Sequence, residues 1–339
     1  MDAAEALNEI GFWLERERAV TYKVEAFRKA AAIIEDLSQD DLAKRLQSGA
    51  LKRTKGIGDR TYTVIKQSVE GDVPDYLADL RSRSTEPLAK GGTELRAKLR
   101  GDLHSHSNWS DGGSPIEEMA RAAHWRGREY QVLTDHSPRL TVANGLSVER
   151  LTEQLKIVAK VNDLYDDFRF LSGIEVDILD DGKLDQTDRM LDKLDVVVAS
   201  VHSKLKMDSI GMTRRMVNAV NDPHTNVLGH CTGRLVQGSR GKRDQSKFDA
   251  KKVFAACAKN DVAVEINSRP ERQDPPNNLI AMALDAGCLF AINTDAHAPG
   301  QLDFLDYGAE RADANGVPAD RIVTTWPVDK LLEWSNAKR

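Results

Sequence analysis

From residue 100 onward, seven short apolar or β-branched runs recur roughly every 30 residues, the length of a strand–helix repeat. They are Leu99–Ser105, Tyr130–Thr134, Phe168–Val176, Asp195–Val201, Asn226–Gly229, Val262–Ile266 and Cys288–Asn293. Helical patterns lie between most of them. Ser114-Pro115 followed by Ile116, Met119, Ala120 and Ala123 predicts an N-cap, a proline at the first turn and an amphipathic helix. Ser147 to Leu164 predicts another, and Phe248–Ala258 a third. Alternation at this period specifies βα units and a parallel sheet. Seven such units across residues 100–339 suggest an α/β fold closed, or nearly closed, into a barrel. A doubly wound open sheet is the alternative, though no G-x-G-x-x-G turn supports it.

Residues 4–80 have a different rhythm. Ala6, Ile10, Trp13 and Leu14 repeat with helical period, and Val24, Phe27, Ala30, Ala31 and Ile34 line one side of a second helix spanning Tyr22–Leu37. A fourth helix begins after Gly56-Ile57-Gly58 and ends near Gly71. RSRSTEPLAKGGTELRAK, polar with Gly-Gly and Pro, reads as a linker. The expected organisation is therefore a small all-α domain over 1–80, a linker over 81–99 and a barrel over 100–339.

Composition narrows the class without changing this picture. With 40% hydrophobic and 30% charged residues the chain is ordinary for a globular protein. No run approaches the roughly 20 apolar residues that span a bilayer, and the acidic N-terminus lacks the marks of a signal peptide, so a cytoplasmic location is expected. Cys231, Cys257 and Cys288 are odd in number and far apart, which excludes a disulfide framework or zinc ribbon. Their expected role is as buried thiols. The net charge of −5 argues against binding nucleic acid by bulk charge, but its distribution matters more. Residues 1–99 carry 17 basic and 17 acidic groups, and seven basic residues against one acid fall between Lys44 and Lys66.

The candidate chemistry sits at strand ends. The first run closes in Asp102-Leu-His104-Ser-His106, the second in Asp135-His136, and the third in Glu175-Val-Asp177. The fourth closes in His202, the fifth in His230 and the seventh in Asp295-Ala-His297. Six of the eight histidines thus fall where an α/β barrel gathers its catalytic groups. One histidine after a strand is commonly just a satisfied polar residue; six in the same topological position, beside carboxylates, are a metal centre. Mixed imidazole and carboxylate donors favour Zn²⁺, Mn²⁺ or Fe²⁺ over Mg²⁺ or Ca²⁺. So many donors exceed one ion's needs, and clustered ions point to phosphoryl chemistry. Arg234, Arg269 and Lys204, just beyond strand ends, are candidate clamps for phosphate oxygens. Asp102 reads as structural, Asp135 as able to orient a ligand imidazole, and His124 and His224 as exposed.

The series DLHSHSNWSDG, LTDHS, GIEVDI, ASVHS, GHCTGR, EINSRP and NTDAH resembles the PHP (polymerase and histidinol phosphatase) superfamily, in particular the PHP module of bacterial family X DNA polymerases. The resemblance implies a distorted seven-stranded barrel and two to three divalent transition-metal ions. It implies His104, His106, Glu175 and Asp295 at one ion, with Glu175 bridging to a second held by His202 and His230. A third would take Asp111, His136 and His297. Glu175, Asp295 and His297 are the expected catalytic residues.

Between helical patterns, LKRTKGIGDRT predicts a helix-hairpin-helix turn, whose glycines permit a tight bend and leave backbone N–H groups for a phosphate. Residues 4–80 resemble the N-terminal 8-kDa domain of family X polymerases. That likeness implies Lys23 and Arg28 as DNA-facing, beside Gly56, Ile57, Gly58 and Arg60. Where lyase-competent members carry a Schiff-base lysine this chain has Val64, and the polymerase palm between the two parts is absent. The expectation is a metal-dependent phosphoesterase acting on DNA, as a 3′–5′ exonuclease, 3′-phosphodiesterase or 3′-phosphatase. A small-molecule phosphatase of the histidinol-phosphate type, or a DNA-binding protein with a vestigial barrel, are the alternatives.

Overall fold

The computed structural model describes residues 1–238 and 241–338. It divides into two compact units, Met1–Pro87 and Leu88–Arg339. The first contains α1 (Ala3–Arg16), α2 (Thr21–Ile34), α3 (Gln39–Gln47), α4 (Asp59–Val69) and α5 (Asp75–Arg83). Helix α1 starts where Asp2 accepts from the backbone N–H of Ala4 and Glu5, a charge-assisted cap on the positive helix end. Helix α1 packs on α2, α4 and α5, and Leu7, Ile10 and Leu14 of α1, Phe27 and Ile34 of α2, Ile65 of α4 and Leu77 of α5 are buried.

The second unit opens with α6 (Thr93–Lys98) and β1 (Gly101–Asp102), followed by α7 (Ile116–Trp125), β2 (Tyr130–Leu133) and α8 (Val148–Asn162). Then come β3 (Arg169–Asp177), α9 (Asp188–Leu191), β4 (Val196–Ser200), α10 (Ser209–Val220), β5 (Val227–Leu228) and α11 (Ala250–Lys259). β6 (Ala263–Asn267), α12 (Asn277–Asp285), β7 (Phe290–Asn293), α13 (Leu305–Ala314) and α14 (Val328–Asn336) complete it. The strands form one parallel sheet in sequence order. A parallel bridge between Ser105 and Ala296, with His106 N–H donating to the Ala296 carbonyl at 2.8 Å, joins the last strand's end to the first's. The sheet is a barrel, and each expected strand is present.

Alternation along the strands explains the interior. At the strand starts, Val132, Leu171, Val196, Val198, Val227, Ala263 and Ala291 form an apolar plug. Two or four residues further along the same faces stand Glu175, Glu265 and Asn293, all buried. Outward residues such as Ile174, Val197, Val264 and Ile292 pack under the helices.

Residues 81–99, expected as a linker, are not a free tether. Their first part completes α5, and from Leu88 onward the chain is fastened to α13. Leu88 N–H donates to Asp306 at 2.9 Å, Arg96 Nε to the same carboxylate at 2.8 Å, and Gly91 N–H to Glu310 at 3.1 Å. Pro115 stands before α7 rather than inside its first turn. Among the described residues no helix is long and apolar enough to cross a membrane.

Candidate metal centre

All nine expected donors converge at the C-terminal mouth of the barrel, and Glu175 stands in their midst. Its Oε1 lies 2.8 Å from His230 Nε2 and 3.1 Å from His202 Nε2. Its Oε2 lies 2.9 Å from His136 Nδ1, 3.3 Å from His104 Nε2 and 3.5 Å from His106 Nε2. Asp295 Oδ1 is 3.5 Å from His106 Nε2. Asp111 Oδ1, on the loop after β1, is 3.3 Å from His297 Nε2 and 3.4 Å from His136 Nε2. Donor atoms group as His106, Asp111, His136 and His297; as His104, His106 and Glu175; and as His136, Glu175 and His202, each within 4.8 Å.

The chemistry of this set fits divalent ions. His104 Nε2, both ring nitrogens of His106 and of His202, and Glu175 Oε2 are buried without a hydrogen-bond partner. An unpaired buried polar atom costs about 1–3 kcal/mol, so a cluster of them makes sense as ligands. His104 is also held at its far nitrogen, its Nδ1 lying 2.7 Å from Glu265 Oε1. A proton fixed at Nδ1 leaves the Nε2 lone pair for an ion.

Glu265 and Arg272 are site residues that strand-end reasoning missed. Glu265 sits in β6, fully buried; it receives Asn293 Nδ2 at 2.9 Å and the His230 N–H at 2.6 Å while orienting His104. The EIN within VAVEINSRP was the available signal, since a charged residue in a buried strand needs a partner. Arg272 Nε donates to Asp295 Oδ2 at 3.0 Å. Burial alone would raise the Asp295 pKa, but Arg272 and Arg269 beside it hold it well below the ordinary carboxylate value.

The other expectations divide. Arg269 reaches the centre, its guanidinium 2.9 Å from His297 Nδ1 and 3.2 Å from the Asp295 carbonyl. Arg234 is instead turned onto the carbonyls of Arg272 and Gln273, and Lys204 is paired with Asp180. Neither makes a hydrogen bond or ion pair with the nine donors. Asp135 does not orient His136: it gathers Ser107, Ser110 and Gln154 and thereby shapes the loop that carries Asp111. Asp102 ties the ends of β1 and β7 by accepting from the N–H groups of His104 and Thr294, each at 3.1 Å. His224 is not exposed but buried between Asp222 at 2.8 Å and Asp192 at 3.1 Å. All three cysteines are buried, and burial pushes their thiols up.

In the helical unit, Arg28 is committed to Glu15 through bonds of 3.0 and 2.9 Å. The Ile57 side chain is buried and its N–H bonds the Thr54 carbonyl, which makes it an anchor of the turn. Gly56 adopts φ +101°, and a Cβ there would lie 2.6 Å from Ile33. A Cβ at Gly58 would meet nothing. Val64 is core. Lys23 and Arg60 come from α2 and α4 to flank one ring, Tyr76 of α5, at 5.7 and 5.0 Å. The Tyr76 hydroxyl has no hydrogen-bond partner.

A parallel barrel with imidazoles and carboxylates clustered at its C-terminal mouth defines a multinuclear metallohydrolase. Residues 102–269 match the PHP domain. The chain belongs to the PHP family of metal-dependent phosphoesterases. It is 39% identical over 215 residues to the DNA polymerase/3′-5′ exonuclease PolX of Bacillus subtilis (strain 168), covering 63% of this chain but 37% of that protein. It is 27% identical over 257 residues to a probable phosphatase of Thermoanaerobacter sp. (strain X514), covering 71% of this chain and 96% of that one. The histidinol phosphate phosphatase of Lactococcus lactis, solved with zinc, L-histidinol and phosphate, aligns with a TM-score of 0.43 and 18% identity, over 59% of this chain and 87% of that one.

Protons and ions compete for this site. Burial alone would lower the imidazole pKa values, but the Glu265 and Glu175 carboxylates raise His104, Glu175 and Asp111 raise His136 to about 10, and Glu175 with Asp177 raises His202. The metal-free centre therefore carries protons at neutral pH, and ligation must displace them. Adding Zn²⁺ to stripped protein in weak buffer at pH 7 is expected to acidify the solution, and affinity should fall as pH falls. Loading without acidification would contradict this.

Proposed function

We propose that the chain hydrolyses phosphoester bonds at DNA ends, as a 3′–5′ exonuclease or 3′-end-processing phosphodiesterase or phosphatase. Two to three ions, Zn²⁺, Mn²⁺ or Fe²⁺, are held by His104, His106, Asp111, His136, Glu175, His202, His230, Asp295 and His297. The carrying observation is the convergence of five imidazoles on the Glu175 carboxylate, with buried nitrogens otherwise unpartnered. Such ions supply Lewis acidity toward phosphate oxygens and toward an attacking water.

The chain's own residues do the rest. Glu175 holds the imidazoles around one point, and Asp295 stays ionised because Arg272 and Arg269 face it. His104 and His106 are fully buried, which keeps bulk water from their lone pairs. Arg269, partly exposed beside His297, is the cation placed to meet a non-bridging phosphate oxygen.

DNA as substrate is supported by the likeness to PolX and by the helical unit. Lys23 and Arg60, both beside the Tyr76 ring, offer two positive charges to the DNA backbone. The probable phosphatase matched over 96% of its length favours a second reading, in which the barrel acts on a small phosphomonoester. Rates on a 3′-labelled DNA duplex and on histidinol phosphate, with Mn²⁺ or Zn²⁺ supplied, separate the two. Lys23→Ala with Arg60→Ala is expected to weaken DNA binding about tenfold or more, since two charge-assisted contacts are lost. Unchanged DNA binding would remove the helical unit from the account.

A further inference from the structure

The barrel mouth is electrically lopsided in a way the metal centre does not require. Residues 1–99 are balanced, so the whole net charge of −5 belongs to the remainder. Yet segments 203–214 and 232–247, which follow β4 and β5, carry seven basic residues among the described ones against two acids, Asp208 and Asp244. The neighbouring segment after β3, residues 178–188, is the opposite: Asp180, Asp181, Asp185 and Asp188 against Lys183.

The two basic segments form one surface. Ser246 is buried and its hydroxyl donates to the Leu205 carbonyl at 2.8 Å, while its N–H bonds the Thr232 carbonyl at 2.8 Å. Gly233 adopts φ +62° directly against the Leu205 side chain, where a Cβ would lie 2.7 Å from Leu205 Cδ2. Arg243 Nε donates to the Gly233 carbonyl at 2.7 Å. Arg234 and Arg243 are thus engaged within the rim, while Lys204 is paired with Asp180 of the acidic segment. Lys206, Arg214, Lys242 and Lys247 are exposed and form no ion pair or side-chain hydrogen bond among the described residues. Asp208 is occupied as the cap of α10, accepting the Gly211 N–H at 2.9 Å.

We infer that this rim is a track for the phosphodiester backbone of a nucleic-acid strand whose end enters the metal centre. The inference rests on the proposal of DNA as substrate and deepens it. Lys206 is four residues from the donor His202, so their backbones are separated by no more than about 14 Å, the reach of an extended chain. That span covers a few nucleotides. Charge complementarity selects the partner: a polyanion gains at the β4–β5 side and is repelled by the aspartates after β3, which gives the strand one direction of approach. A small phosphomonoester ends at the ions and does not reach these lysines. The rim therefore acts on polymer binding and leaves the chemical step alone.

The test is the combined variant Lys206→Ala, Arg214→Ala, Lys242→Ala and Lys247→Ala in the full chain, with metal content and thermal midpoint as controls for folding. KM for a single-stranded oligonucleotide is expected to rise at least tenfold at low salt. The slope of log affinity against log salt should become shallower by about 3, roughly 0.7 for each lost contact to a single strand. Turnover of bis(p-nitrophenyl) phosphate should equal that of the wild type. If wild type cleaves the oligonucleotide and the variant matches it in KM and salt slope, the rim inference is wrong while the DNA reading stands. If wild type neither binds nor cleaves DNA, both fall.

Discussion

Glu175→Gln is expected to reduce bound metal to one ion or fewer per chain and to lower phosphoester turnover by a factor of about 10³ or more, the scale on which preorganised charge acts in a water-excluded site. The substitution keeps the size of the side chain, so the barrel should fold. What it removes is the charge faced by five imidazoles, at 2.8 to 3.5 Å. It also turns an amide N–H₂ toward nitrogens that must offer lone pairs. Elemental analysis of the purified variant reads the first effect and steady-state kinetics the second. A fully loaded, nearly wild-type Glu175→Gln would show that the carboxylate is a bystander. Proton release on loading should also shrink, because Glu175 raises His104, His136 and His202 in the metal-free centre.

Arg272→Ala is expected to destabilise the metal-free protein by about 3–5 kcal/mol at neutral pH, the cost of removing one member of a buried ion pair. Arg272 is buried and its Nε lies 3.0 Å from Asp295 Oδ2. The pH dependence has a definite sign. Asp295 has a folded-state pKa held well below its ordinary value, so its ionisation stabilises the fold above the unfolded carboxylate pKa of about 3.9. That stability is lost as pH falls through the folded value. Without Arg272, burial raises the Asp295 pKa, so in the variant Asp295 takes up its proton at a higher pH than in the wild type, and the deficit should be full at pH 7 and shrink in acid. Denaturant titrations at pH 7 and near pH 4 measure it. A deficit below about 1 kcal/mol, or one independent of pH, would show that the pair is not what holds Asp295 ionised.

The strands were legible because parallel barrel strands are buried on both faces and stand out as short apolar runs between amphipathic helices. Their ends identify themselves by chemistry, which is why six histidines could be placed at one mouth before any geometry. Asp111, in a loop, came from the family likeness rather than from periodicity. What the sequence hid are relations across the chain. Glu265 stands 161 residues from His104, and nothing local in VEIN says which imidazole it orients. Arg272 and Arg269 lie in one short loop, yet one bonds the Asp295 carboxylate and the other lies beside His297. Arg28 has the charge and helix position of a DNA contact, but Glu15 on the adjacent helix takes its guanidinium. The run 81–99 has linker composition, and its capture by Asp306 and Glu310 depends on a helix more than 200 residues away. Composition records what a segment prefers alone, and tertiary partners decide the outcome.

The central claim is that this centre, loaded with divalent ions, hydrolyses DNA at its ends. Release of the 3′-terminal nucleotide or phosphate from a labelled duplex, by chelator-stripped protein before and after Mn²⁺ or Zn²⁺ is restored, tests it most directly. The account predicts no release from the stripped protein and recovery as two to three ions per chain are taken up. Full metal uptake with the DNA end untouched, while histidinol phosphate is hydrolysed, would contradict it.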